Sequence, residues 1–299
     1  MADDTVGQAK GPLVWLDMDQ KALDDAYDQT VWASNMGLVQ RRREAAASAA
    51  YARLSPRRMS YGQTQIEGFD FYSCGRPDAP ILCFIHGGGW RSGTSRDFAH
   101  LAEPYLDAGV HVAILDFISI DAVHGELPDV VDQVRRAVAH IHRHAADFGG
   151  DPAKIFIAGH SSGGHLSGCV VTTDWTHYGL PPRILAGAVL MSGMYDLEPV
   201  RRSKRSLYVR FTDENVRALS AIHHLERLHC PLILAYGSEE SPEFQRQTCA
   251  FYEAVQAAGK SVELVVLDGA NHFEMLESLA NPYGFVGRAA LAQVRQTGR

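Results

Sequence analysis

Gly159-His160-Ser161-Ser162-Gly163 follows directly on the apolar run Ile155-Phe156-Ile157-Ala158. A strand that turns sharply into a helix with a serine at its tip needs small residues two positions to either side, because backbone segments must approach closely there. Gly159 and Gly163 fill those positions, and the chemistry this spacing suggests is acyl transfer through the Ser161 hydroxyl. G-x-S-x-G alone is a common pattern. Here a strand-like run precedes it, and Gly164-His165-Leu166-Ser167-Gly168-Cys169-Val170-Val171 reads as a small-residue helix behind it.

A second motif serves the same reaction. Ile81-Leu82-Cys83-Phe84-Ile85 reads as a buried strand that runs into His86-Gly87-Gly88-Gly89-Trp90. Acyl transfer develops negative charge on a carbonyl oxygen, and aligned backbone N–H groups stabilise it by about 3 kcal/mol per donor. The expected donors are the amides of Gly88 and Gly89 with that of Ser162, the residue after the nucleophile.

Ser161 needs an imidazole to take its proton and return it to the leaving group. Of 14 histidines, His272 has the right setting: Ser261 to Leu267 reads as a strand, Asp268-Gly269-Ala270-Asn271 as a turn, and Phe273 onward as a helix. That puts the ring at the carboxyl end of the sheet, where the serine turn also lies. His140, His142 and His144 lie along an amphipathic helix, and His165 follows the serine turn as a packing residue. A carboxylate must orient the imidazole. The strand Pro231 to Tyr236 ends in Gly237-Ser238-Glu239-Glu240-Ser241-Pro242-Glu243, which offers Glu239, Glu240 and Glu243. Asp196, after the preceding strand, is a further candidate and reads better as a cap or turn residue.

These motifs, with Phe148-Gly149-Gly150-Asp151-Pro152, Ser192-Gly193-Met194-Tyr195-Asp196-Leu197 and Glu240-Ser241-Pro242-Glu243-Phe244, resemble the kynurenine formamidase (arylformamidase)-like branch of the α/β-hydrolases, close to the hormone-sensitive-lipase-like esterases. The resemblance runs from about residue 60 to the C-terminus. It implies that Glu240 is the acid, in the chain order Ser161, Glu240, His272. It also implies a hydrolase without metal or cofactor, cutting small esters or N-formyl and N-acyl amides that often carry an aromatic part. One departure stands out: Asp116-Phe117-Ile118-Ser119-Ile120-Asp121-Ala122-Val123-His124 replaces a Tyr-x-Leu-Ala-Pro-like stretch, in a loop that borders the acyl pocket of such folds. Two alternatives from other classes are a ligand receptor on a retained hydrolase fold and a cofactor-free oxygenase. The intact oxyanion motif beside the serine speaks against the first.

Bulk properties agree with a soluble enzyme. With 299 residues, 46% of them hydrophobic, the chain can bury one large core. A formal charge of -7 argues against nucleic acid as a partner, and the basic run Arg201-Arg202-Ser203-Lys204-Arg205 reads as a solvated face. Five scattered cysteines without C-x-x-C spacing suit a reducing, cytoplasmic setting, and nothing resembles a membrane span or a signal peptide. The expected partner is a small ester or amide substrate, and a homodimer is compatible with the chain.

The elements that must position these residues alternate between apolar runs and helical spacing, which predicts an α/β fold: a mostly parallel central sheet with helices on both faces and a helical N-terminal lid. Arg58 to Glu67 and Phe69 to Cys74 read as an opening strand pair, and Leu127 to Phe148 as an amphipathic helix. Residues 58–299 form the hydrolase core, with a cap-like insertion at about 199–228. Residues 1–57 form an arm of two helices, Asp19 to about Asn35 and Leu38 to Leu54. Trp15 and Trp32 of the arm, Trp90 beside the glycines, and Tyr208 and Phe211 of the insertion are the candidate substrate contacts. Selectivity is expected to reside in the arm, so that losing residues 1–35 would spare a minimal ester and harm a bulky one.

Overall fold

The computed structural model describes residues 11–296. Its strands are β1 (Leu13–Trp15), β2 (Met18–Asp19), β3 (Arg57–Ser60), β4 (Gly68–Tyr72), β5 (Ala79–Ile85), β6 (His111–Leu115), β7 (Gly150–His160), β8 (Gly187–Met191), β9 (Leu232–Gly237) and β10 (Val262–Leu267). β3 to β10 form one sheet in the order β10-β9-β8-β7-β5-β6-β4-β3. The five pairs from β10 to β6 are parallel, and β6-β4 and β4-β3 are antiparallel. β5, β6 and β8 are almost wholly buried apolar runs, as strands covered on both faces must be.

The helices are α1 (Gln20–Ala26), α2 (Met36–Leu54), α3 (Glu103–Asp107), α4 (Leu127–His144), α5 (Ser162–Val171), α6 (Glu198–Arg202), α7 (Asp213–Leu219), α8 (Pro242–Ala257), α9 (Met275–Leu279) and α10 (Phe285–Gln296). Two buried apolar clusters flank the sheet. One joins Ile81, Ile155, Ile157 and Leu190 to Val134, Val138 and Phe251; the other joins Phe84, Ile114, Phe156 and Val189 to Phe98, Tyr105, Leu276 and Val294. Strand side chains alternate between the faces, so each strand feeds both clusters. Among the described residues no helix is long and apolar enough to cross a membrane.

Three local expectations need correction. The first arm helix is α1 followed by a short 3-10 turn at Gln29–Trp32, and a β1-β2 hairpin precedes it. Asp28 ends α1 early, since its carboxylate accepts from the Thr30 amide and starts the tighter turn. β3 stops at Ser60, because the Glu67 carboxylate gathers the amides of Gln63 and Thr64 into a loop. The long helix ends at His144, with 3-10 geometry from Ala146 to Phe148.

Candidate active site

β7 passes into α5 through a single residue, Ser161, whose backbone stands at φ 59 and ψ -125. That conformation is sparsely populated for a residue with a side chain, and it persists because its surroundings hold it. The Ser161 amide donates to the Met191 carbonyl of β8. A Cβ on Gly163 would overlap the carbonyls of Ile85 and His86, and one on Gly159 would meet Ser167 and the Gly163 carbonyl. The two glycines are what allow the turn to seat against β5.

Around that turn the chain brings together three side chains separated by up to 111 positions. His272 Nε2 lies 2.9 Å from Ser161 Oγ, and His272 Nδ1 lies 2.7 Å from Glu240 Oε2. The other carboxylate oxygen, Oε1, accepts from Ser192 Oγ at 2.6 Å and from the Gly237 amide at 2.8 Å. Glu240 is therefore held at both ends, one oxygen fixed by the scaffold and one left for the imidazole. Glu240 is 2% exposed, His272 4% and Ser161 8%; Ser161 and His272 reach the cavity wall and Glu240 lies behind them. The His272 ring is clamped between His160, with centroids 4.5 Å apart, and the edge of Phe244 at 4.8 Å. Burial and the nearby His272 push the His160 imidazole well below its ordinary value, so a neutral ring sits beside His272.

The competing carboxylates go elsewhere. Glu243 accepts from Tyr27 Oη, Trp15 Nε1 and Arg246; Asp196 caps the amide of Glu198 ahead of α6. His165 accepts from Trp90 Nε1 at Nδ1, and its Nε2 faces the Leu219 carbonyl. Burial lowers its pKa to about 3, consistent with a neutral packing residue.

Ser161 and His272 open on a cavity of about 470 Å³ whose walls include Gly88, Gly89, His160, Phe98, Phe273 and Leu276. Ser162 is the first residue of α5, so its amide belongs to the unpaired N-terminal donors of that helix. Gly88 adopts φ 117, and its carbonyl accepts from the Arg91 and Ser92 amides, which turns the loop back on itself. A Cβ there would overlap the Ser92 carbonyl.

The substrate-contact expectations need revision. Trp90 is 1% exposed and lies outside the cavity wall; its amide donates to Ser162 Oγ at 3.1 Å, which ties the glycine loop to the serine turn. Trp15 lies beneath Arg202 and Arg246, and Trp32 is an exposed ring bonded to the Asp25 carbonyl. Phe211 lines a separate groove with Arg210 and His124. Tyr208 also faces that groove, although its hydroxyl meets Arg205 at the cavity edge. The loop 116–124 does not border the cavity either: Asp116 holds the Ser95 amide, Phe117 stacks on His86, and Asp121 pairs with Arg91. The arm does contribute, through Tyr27, Gln29, Thr30, Gln40 and Arg43, and the insertion contributes Arg205. His160 was visible in the serine motif itself. Tyr27 reads from the sequence as an arm aromatic that can line the site, as Trp15 and Trp32 do; Gln29, Thr30, Gln40, Arg43 and Arg205 carry no such signal, since polar and charged side chains normally face solvent.

Comparison with known proteins agrees with this geometry. The profile of the prolyl oligopeptidase family matches residues 128–288, and a BD-FAE profile matches residues 70–178. A kynurenine formamidase of Danio rerio is 32% identical over 228 residues, covering 74% of this chain and 75% of its own length. One from Salmo salar is 27% identical over 282 residues, 89% and 94% of the two chains. Among solved structures, a proposed thioesterase from Silicibacter sp. TM1040 superposes with a TM-score of 0.78 at 25% identity, covering 91% of this chain and 98% of its own. The chain is a hydrolase and belongs to the α/β-hydrolases, in the arylformamidase-like branch close to the hormone-sensitive-lipase-like esterases.

Proposed function

We propose that the protein is a serine hydrolase that cleaves a small carboxylic ester or N-formyl or N-acyl amide through an acyl-Ser161 intermediate. The observation that carries this reading is the continuous contact Glu240, His272, Ser161 beside the glycine loop. Ser161 Oγ attacks the substrate carbonyl as His272 Nε2 takes its proton, and Glu240 steadies the imidazolium at Nδ1. The amides of Gly88, Gly89 and Ser162 receive the oxyanion. Collapse expels the alcohol or amine, which takes the proton from His272, and water repeats the sequence to release the acid. The likeness to kynurenine formamidases supports a formamide among the substrates. Arm residues 11–57, with the insertion near residues 199–228, serve in this reading as the lid that shapes the cavity. Five unpaired cysteines, three of them buried, accord with a cytoplasmic location. A homodimer, if formed, would appear in light scattering at twice the chain mass.

The test is a fluorophosphonate probe together with p-nitrophenyl acetate and formanilide. Labelling confined to Ser161, with a burst of product on the ester, is the expected result. A label on another serine, or turnover that survives Ser161→Ala, would discard the mechanism.

A further inference from the structure

Among the described residues, the cavity beside Ser161 holds a cation, Arg205, with no ion-pair partner. In the basic run 201–205, Arg201 pairs with Glu198 and Asp213, Arg202 with Glu198, and Lys204 with Asp28; farther along, Arg210 pairs with Glu126. Arg205 alone of these lines the cavity, and among the described residues it has no carboxylate within ion-pair distance. Neutral groups hold its guanidinium instead. Nη1 donates to the Tyr208 hydroxyl at 2.7 Å, Nη2 donates to the Tyr27 carbonyl at 3.0 Å, and the Trp90 ring lies 5.5 Å away. Nε is enclosed without a partner, which leaves one hydrogen on each Nη for a ligand.

A half-buried guanidinium held only by dipoles and a π face keeps its full charge and loses much of its hydration. An incoming anion restores the balance, and a charge-assisted hydrogen bond to a carboxylate is among the stronger polar contacts. The other cavity arginine, Arg43, lies over the Phe98 ring; burial lowers its pKa, and Asp97 and Glu44 nearby counter that only in part. Of the three acids in the wall, Asp28 is committed to Lys204, Asp97 to the Thr94 amide and hydroxyl, and Glu44 acts on Arg43. Arg205 also stands close to the reacting centre: a Cβ on Gly89 would lie 3.4 Å from its Nη1.

We propose that Arg205 is a specificity-determining residue that takes a carboxylate carried by the substrate close to the bond being cut. The inference rests on the hydrolase reading above and narrows it to small esters or amides bearing one negative charge.

Matched substrates on the full chain test it: p-nitrophenyl butyrate against mono-p-nitrophenyl succinate, and formanilide against the three formamidobenzoates. Wherever the anionic member is a good substrate, Arg205→Met should cost it about tenfold or more in kcat/KM beyond the loss on its neutral mate. Arg205→Lys, which keeps the charge and loses the fork, should recover a large part of that difference. Equal losses on both members would make Arg205 a brace for Tyr27 and Tyr208, and Lys would not restore them. That result, or no loss on any substrate, overturns the proposal. A wild-type chain inactive on every substrate and unlabelled at Ser161 would instead overturn the hydrolase reading.

Discussion

At the scale of single residues, the site depends on atoms that do one job each. Ser161→Ala removes the proposed nucleophile and no core volume, so kcat should fall by about 10⁴-fold or more while the thermal midpoint stays near that of the parent. Glu240 has two jobs, since one oxygen faces His272 and the other is held by Ser192 and Gly237. Glu240→Gln should therefore lower kcat by roughly 10²- to 10⁴-fold with a smaller effect on KM, because the charge it loses matters most when the imidazolium forms. An equally large loss in Asp196→Asn would show that the acid had been misassigned. Ser192→Ala leaves that oxygen with only the Gly237 amide, and an intermediate loss in kcat is the expected outcome.

Among the elements, the N-terminal arm changes most in meaning. It had looked like a lid that selects substrates through Trp15 and Trp32. Instead the arm reaches the loops that carry Glu240 and His272: Gln29 and the Ala26 carbonyl hold Ser241, Tyr27 meets Glu243, and Asn35 bonds Asn271 and Glu274. Deleting residues 1–35 would strip buried polar partners from both loops, each such loss costing on the order of 1–3 kcal/mol. Activity on p-nitrophenyl acetate should then collapse along with activity on larger esters. A deletion that keeps the minimal substrate would restore the simple lid picture. Selectivity should respond instead at Gln40, which lines the cavity from α2. Gln40→Trp is expected to reduce kcat/KM for a naphthyl ester about tenfold relative to p-nitrophenyl acetate, whereas Trp32→Ala should treat both alike.

For the whole molecule, buried histidines set the response to acid. Burial holds His165 at about 3 and His100 at about 4, and depresses His86 and His160 as well. In the unfolded chain such rings protonate near pH 6.5, so between roughly pH 6.5 and 4 the unfolded state binds more protons. Stability is thus fully present above that range and is lost as pH falls through it. The urea midpoint should decline from pH 7 to pH 4.5 by the same amount in the parent and in Ser161→Ala. His165→Gln should flatten the decline; a midpoint independent of pH over this interval would show that these rings do not stay neutral.

The sequence by itself marked the proposed reacting centre. Ser161, the glycine loop and His272 were legible because each lies just beyond an apolar strand, in a turn whose glycines are required by close backbone approach. Parallel strands carry their loops to one edge, so three motifs far apart in the chain converge there without further information. Tertiary structure alone decided the rest. Glu239, Glu240 and Glu243 stand within five positions, and spacing cannot say which carboxylate turns toward the imidazole; the Ser192 and Gly237 donors select Glu240. Trp15, Trp32, Trp90 and Phe211 lie outside the cavity and Tyr208 meets it only through its hydroxyl, while Tyr27, Gln40, Arg43 and Arg205 form part of its wall. Composition marks aromatic side chains as interior and charged ones as exterior. A cavity reverses that rule, because its wall is a surface folded inward, and only the packing of the arm and the insertion over the sheet shows which residues face it.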